Sequence, residues 1–347
     1  MVSRYSDTYK DREEDIMNVA FIVPTGIGAE IGGHSGDATP SAKLIATVCD
    51  KLFIHPNVVN ASDINEMTQN MLYVEGSILD RFLEGQIGLE EVYNNKILVV
   101  VNGPVKPEVV NAVSGARVTI GADIEILELK TPIKMVASLT DGKASGEIYN
   151  LDEAIQQVTK HKFDVLVINT PIETNDDEVK EYLLKEGGTN VWGGVEAKLS
   201  KIMSEKLNKP VIHAPVENSE FFKTFNEIVD PRKSAEMVST CYLHCCLKGG
   251  HVAPKISLED KAYWNIDIDF LVTPIDVFGR PHLACLKSEI PIIAVEENRT
   301  VLKDKMPRDV IIVKNYLEAV GIICAKKAGI TIQSLKRPLK RTIIKRG

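Results

Sequence analysis

Aromatic side chains make up only 6% of the chain, with two tryptophans among 347 residues. That is too few for the stacking platform that holds single-stranded nucleic acid. Excess positive charge is also missing: the formal net charge is −7 and the pI about 5.6, so no global field draws phosphate backbones. Apolar runs such as Ile97 to Val101 fall far short of the ~20 residues that span a bilayer. The polar stretch from Ser3 to Asp15 has no apolar core of the kind a signal peptide needs. Cysteine is sparse, six in all and four of them in or near apolar runs, which is no disulfide framework and points to a reducing cytoplasm. Nucleic-acid and membrane partners are therefore not expected.

What is present is an ordinary globular composition, 44% hydrophobic and 26% charged, which excludes wholesale disorder. The length suits two α/β lobes. Short β-branched runs recur, and most end in a polar residue and a proline: Val19 to Val23, Leu52 to Ile54, Ile97 to Val101, Val165 to Ile168, Val211 to Ile212, Phe270 to Val272 and Ile290 to Val295. Continuous rather than alternating apolar runs fit strands buried on both faces, as in a parallel sheet covered by helices. Proline cannot donate to a ladder and marks where each strand leaves the sheet. The expectation is two Rossmann-like lobes with mainly parallel sheets.

Helices are expected from Ser41 to Leu52, capped by Thr39 with Pro40 after it, and over Asp176 to Leu184 and Val195 to Leu207. Two more should run from Asp230-Pro231 to about Lys248, stopped by Gly249-Gly250, and from about Asn315 to Lys327. Asp141-Gly142 signals a turn in the less periodic stretch from Thr131 to Tyr149. The lobe boundary is placed there, giving lobes over 1–135 and 136–305. A C-terminal segment, 306–347, follows, its helix expected to return to the first lobe. The last twelve residues carry six Lys or Arg and no acid, leaving about −13 on the rest of the chain. A solvated end accounts for them best.

In open α/β sheets, ligands bind beyond the carboxyl ends of the strands. The segment from Pro24 to Pro40 follows a buried run and leads into a helix, a setting in which backbone N–H groups cradle an anion. Thr25, Gly26, Gly28, Gly32, Gly33, Ser35, Gly36 and Thr39 are the residues of such a cradle. No Gly-Lys-Ser/Thr follows, so it is no P-loop. The third glycine comes one residue late for the dinucleotide fingerprint, and the second strand ends in His55-Pro56-Asn57 instead of an acid, which disfavours NAD(P). No Gly-x-Ser-x-Gly elbow supports a hydrolase triad.

His55 and His213 each close an apolar run, and on parallel strands both point to one edge as an acid and base, or as ligands to one metal. His34 and Asp37 add a base and partner within the loop. Of Glu296 and Glu297, adjacent at a strand end, only one can face a crevice. Asn57, Asn60, Glu75, Thr273 and Asn298 complete the polar rim. Cys241, His244 and Cys245 share a helical face, with His251 beyond. They form an alternative site for zinc or iron, although small-residue packing explains buried cysteines more economically.

The loop Val23-Pro-Thr-Gly-Ile-Gly-Ala-Glu-Ile-Gly-Gly-His-Ser-Gly-Asp-Ala, with His55-Pro-Asn, Tyr73-Val-Glu-Gly and Ile292-Ile-Ala-Val-Glu-Glu-Asn, resembles an uncharacterised domain-of-unknown-function family. The resemblance runs in order from about residue 19 to 302. It implies a soluble protein of this length and ties the four motifs into one unit, and it supplies no activity. The cysteine–histidine cluster lies outside its pattern. The expected function is an enzyme of cofactor or intermediary metabolism, acting on a small anionic metabolite between two lobes, and forming a homo-oligomer. A metal-handling protein with a divalent metal or iron, or a ligand-binding regulator, are the alternatives.

Overall fold

The computed structural model describes residues 16–59, 61–216, 224–239 and 241–345. In chain order its strands are β1 (Asn18–Phe21), β2 (Lys51–Ile54), β3 (Met71–Tyr73), β4 (Gly88–Glu90), β5 (Lys96–Asn102), β6 (Asp123–Leu129), β7 (Lys134–Thr140) and β8 (Lys143–Tyr149). There follow β9 (Val165–Asn169), β10 (Ile172–Glu173), β11 (Val211–His213), β12 (Lys255–Ser257), β13 (Phe270–Pro274), β14 (Ile292–Val295) and β15 (Ile311–Val313).

A six-stranded sheet runs β15-β14-β13-β1-β2-β3 and a four-stranded sheet β11-β9-β5-β6, and every pairing within both is parallel. The protein is thus a mixed α/β fold with parallel sheets flanked by helices. The continuous apolar runs become strands buried on both faces: β1 and β13 are buried at every position. Each fully buried Leu, Ile or Phe among them contributes roughly 1.5–3 kcal/mol.

Strand pairing overrides a boundary near residue 135. β5 and β6 share a sheet with β9 and β11, and β13–β15 join β1–β3. The first lobe is therefore built from both ends of the described chain, and the second lobe is inserted between β4 and β12. These two strands pair antiparallel where the chain leaves and returns. Asn95, buried beside them, donates through Nδ2 to Gly250 O (2.9 Å) and Ala253 O (2.8 Å). Sequence periodicity cannot reveal this, because it reports each strand's burial and not its neighbour.

The helices form with shifted ends. The helix expected from Ser41 spans Thr39–Ala46, and its N-cap is Ala38, because the Thr39 hydroxyl is taken by the Asp63 carboxylate. The long helix expected after Asp230 is broken into Pro231–Lys233, Ser234–Val238 and Tyr242–Val252. Gly249 does not stop the last of these but lets Ile64 pack against it, since a Cβ there would lie 2.0 Å from Ile64 Cδ1. Leu243, Cys245, Cys246 and Leu247 of this helix sit in one apolar core with residues of both parallel sheets. The helix Tyr316–Lys327 lies on the first sheet, Tyr316 packing 5.2 Å from Phe21.

Two glycines separate packing from propensity. A Cβ on Gly194 would sit 2.2 Å from Ala144 O, whereas one on Gly321, in the helix Tyr316–Lys327, would meet nothing within 4 Å. Gly194→Ala should cost about 1–3 kcal/mol through overpacking, and Gly321→Ala should stabilise by about 1 kcal/mol through helix propensity. Chemical denaturation of the two variants checks the opposite signs; equal signs would contradict this packing.

Candidate active site

The carboxyl ends of strands from both parallel sheets open onto a cavity of about 570 Å3. Its wall includes Pro24 and Thr25 after β1, His55 to Asn57 after β2, and Glu75 to Ser77 after β3. From the second lobe come Ile172 of β10 and Thr174 after it, and His213, Pro215 and Val216 at the end of β11. The starts of three helices also face it: Gly76–Leu83, Gly193–Leu207 and Arg280–Lys287. Positive dipole ends are thereby gathered at one place.

His55 and His213, on different sheets, share this wall. Burial lowers His55 to about 4, although the residue remains half-buried and reaches the cavity. Its Nδ1 accepts from Asn57 N (3.2 Å), so the neutral ring carries its proton on Nε2. Gly76 is needed beside it, because a Cβ there would lie 2.8 Å from Nε2. His213 Nδ1 lies 2.9 Å from Glu196 Oε1, and Nε2 lies 3.2 Å from Thr170 O. A carboxylate thus fixes the ring orientation, as in an acid–base pair.

Other cavity groups carry charge or can acquire it. Burial raises Asp80 to about 6, against the pull of Arg280 and Lys201. Arg280 grips Glu84 at 2.6 and 2.8 Å. Lys201 makes no hydrogen bond or ion pair among the described residues and stands in the wall with Ser200. Burial also raises Glu236 to about 7.

Several expected site residues serve the architecture instead. Glu75 caps the helix Gly76–Leu83, accepting from Ser77 N (3.0 Å) and Ile78 N (3.1 Å). Of the expected cradle, only Thr25 and Ser35 reach the cavity. Gly28, at φ +55°, would place a Cβ 2.6 Å from Thr189 Oγ1, and Gly26 would place one 3.1 Å from Ala144 O. Gly32, Gly33 and Gly36 are crowded in the same way by Val23, Ala29 and Ala235. The loop is a joint between the lobes, and its glycines permit close backbone approach.

His34 is buried and directed to Tyr182 Oη at 2.9 Å, while Asp37 Oδ1 accepts from Gly32 N at 2.8 Å. Neither lines the cavity. Burial lowers His34 to about 4 and raises Asp37 to about 7. Glu296 and Glu297 are exposed and outside the wall, Glu297 accepting from Tyr316 N at 3.3 Å. Fully buried Asn298 pins the loop, its Oδ1 accepting from Ile31 N (2.9 Å) and its Nδ2 donating to Ile31 O (2.7 Å). Thr273 pairs with His282 Nε2 at 2.9 Å. Asn60 lies outside the described residues.

The cysteine–histidine cluster does not converge. Cys241 Sγ caps its helix by accepting from His244 N (3.4 Å), and Cys245 Sγ accepts from Asn65 Nδ2 (3.7 Å). His244 packs beside Gly115, and His251 is half-buried with no hydrogen bond at Nδ1. Among the described residues, no group of three His, Cys, Asp or Glu side chains is placed to hold a metal ion. No helix among them is long and apolar enough to cross a membrane.

Residues 18–336 match the family model DUF3326, described as a protein of unknown function. The chain belongs to the DUF3326 family. A protein of Synechococcus sp. strain PCC 6301 named as an uncharacterized lipoprotein is 30% identical over 328 residues, covering 89% of this chain and 90% of its own. In this DUF3326 member, the matched span takes in the whole cavity wall and both halves of the first lobe.

Sequence reasoning missed Tyr182, Asn190, Glu196, Lys201, Glu236 and His282. Glu196 carries a usable signal, lying in the first turn of the helix Gly193–Leu207 at the end of the Gly187 to Gly194 stretch, and Lys201 lies further along the same helix. Glu236 carries none.

His282 gives the clearest test of electrostatics here. It is fully buried, Nδ1 accepts from Gly279 N (3.1 Å), and burial lowers it to about 4. An imidazole lowered from about 6.5 favours the fold fully above that pH, and this contribution is lost as pH falls toward 4. Nitrogen NMR at pH 6 should show the neutral Nε2–H tautomer. A protonated ring at that pH would contradict the placement.

Proposed function

We propose that this chain is a soluble enzyme performing acid–base chemistry on a small phosphorylated or carboxylated metabolite held between its lobes. The observation that carries the reading is that His55, just after β2, and His213, the last residue of β11 in the other sheet, both line one cavity. Two imidazoles held differently suit two roles. Neutral His55 donates from Nε2 to an oxygen that gains charge, while the Glu196 carboxylate, held in place by His213 Nδ1, takes a proton.

The charge around them supports an anionic ligand. Lys201 has no hydrogen bond or ion pair among the described residues, Arg280 is a partly spent cation, and the N-termini of Gly193–Leu207 and Arg280–Lys287 add positive potential. Of the acids in the same wall, Glu75 is spent on its own helix cap, and burial favours the neutral forms of Asp80 and Glu236. Anion recognition is therefore assigned to the helix starts and Lys201, not to the glycine loop. A cavity of about 570 Å3 is in the range that encloses one small ligand.

A thermal-shift screen of phosphorylated and carboxylated metabolites tests this. An anion at 100 times its dissociation constant should stabilise the protein by about 2.7 kcal/mol. Lys201→Ala should weaken that ligand about tenfold or more, and Lys326→Ala, a surface control, should leave it unchanged. Absence of any stabilising anion, or stabilisation indifferent to Lys201, would overturn the assignment.

A further inference from the structure

The side chain of Glu236 is 4% exposed in the cavity wall, on the short helix Ser234–Val238. Its two oxygens are treated unequally. Oε1 accepts from Ser35 N, Tyr182 Oη and Asn190 Nδ2, each at 3.3 Å. Oε2 is just as buried and has no hydrogen-bond partner among the described residues. Leaving a buried polar atom unpaired costs about 1–3 kcal/mol, so this asymmetry is not a neutral feature of packing.

Among the described residues, no counter-ion is paired with the carboxyl. Lys233, three residues away, spends its ammonium on the carbonyls of Tyr182, Lys185 (2.6 Å) and Gly187 (2.7 Å). Arg232 is engaged by Asp230 and Glu30, both at 2.9 Å. The other charged or titratable groups around Glu236 are Glu196, which opposes its ionisation, and Tyr182, backed by His34. Tyr242 donates to Glu236's own backbone oxygen at 2.5 Å.

We propose that Glu236 exchanges a proton with the molecule in the cavity through Oε2, and that this molecule presents a hydroxyl or amine there. With Oε1 occupied by three donors, Oε2 is the oxygen left to take a proton. The step is one proton transfer: the occupant's O–H or N–H bond breaks, its electron pair stays on oxygen or nitrogen, and the proton binds Oε2. Return of the proton restores the carboxylate. Burial raises this group to about 7, so both forms are populated at neutral pH, as a group that both accepts and returns a proton requires. Tyr182 acts here as a positioning residue. The inference deepens the acid–base reading and relies on it for an occupant.

The test is carboxyl carbon NMR on the full chain labelled in glutamate, with the Glu236 signal assigned by its disappearance in Glu236→Gln or, if that variant does not fold, Glu236→Asp. The signal should titrate near pH 7 and move upward in Tyr182→Phe, which removes a donor to the charged form. A water-soluble carbodiimide with glycinamide at pH 6.5 should label Glu236 if its buried Oε2 meets the cavity's occupants, whereas a carboxyl merely sealed in the core stays unlabelled. Titration near the ordinary 4.3, no response to Tyr182→Phe, or no labelling would each overturn the proposal. If an anion binds through Lys201 but Glu236 titrates normally, only this inference fails. If Glu236 behaves as expected and no anion binds, only the metabolite reading fails.

Discussion

The backbone contact between the glycine-rich loop and the second lobe sets the geometry of everything else. Gly26 O accepts from Ala144 N at 2.9 Å, and Gly194 presses on the same strand at a distance no side chain tolerates. On its other side the loop is tied to the first lobe, with Glu30 N donating to Arg299 O at 2.8 Å and Val301 N to Ile27 O at 2.9 Å. The loop thus sits between two bodies and bonds to each. The cavity exists because this contact holds two sets of strand ends face to face.

Around that contact the protein buries ionisable groups of both kinds, and their effects on stability oppose one another. His34, His55 and His282 are each lowered to about 4. They favour the fold at the upper end of the interval between pH 4 and 6.5. Asp37 and Glu236, raised to about 7, and Asp80, raised to about 6, favour the fold when protonated, at the lower end. Burial drives both sets, because it penalises whichever form is charged. Within the cavity wall, desolvation favours the uncharged forms of His55, His282, Asp80 and Glu236, beside the Arg280–Glu84 and His213–Glu196 contacts.

The parallel sheets were legible because a strand buried on both faces leaves a continuous apolar run, and His55 and His213 because each ends one. The family resemblance was legible from its motifs. The inserted second lobe was not, since nothing in the run Phe270 to Val272 says that it pairs with β1. The glycine loop misled for a physical reason: glycine serves an anion cradle and a close backbone crossing equally well, and only the neighbours distinguish them. Glu236 was invisible because a lone acid in a short helix resembles any surface acid until its burial is known.

The pairing of β4 with β12 has a consequence for how the chain is made. During synthesis, β1, β2 and β3 emerge first, yet the sheet they belong to is finished only by β13, β14 and β15. Every strand of the second lobe's parallel sheet has been synthesised by His213. The inserted lobe can therefore close while the first half-sheet is still waiting. In doing so it draws Asn95 toward Gly250 and delivers the late strands to the place where the early ones have an open edge.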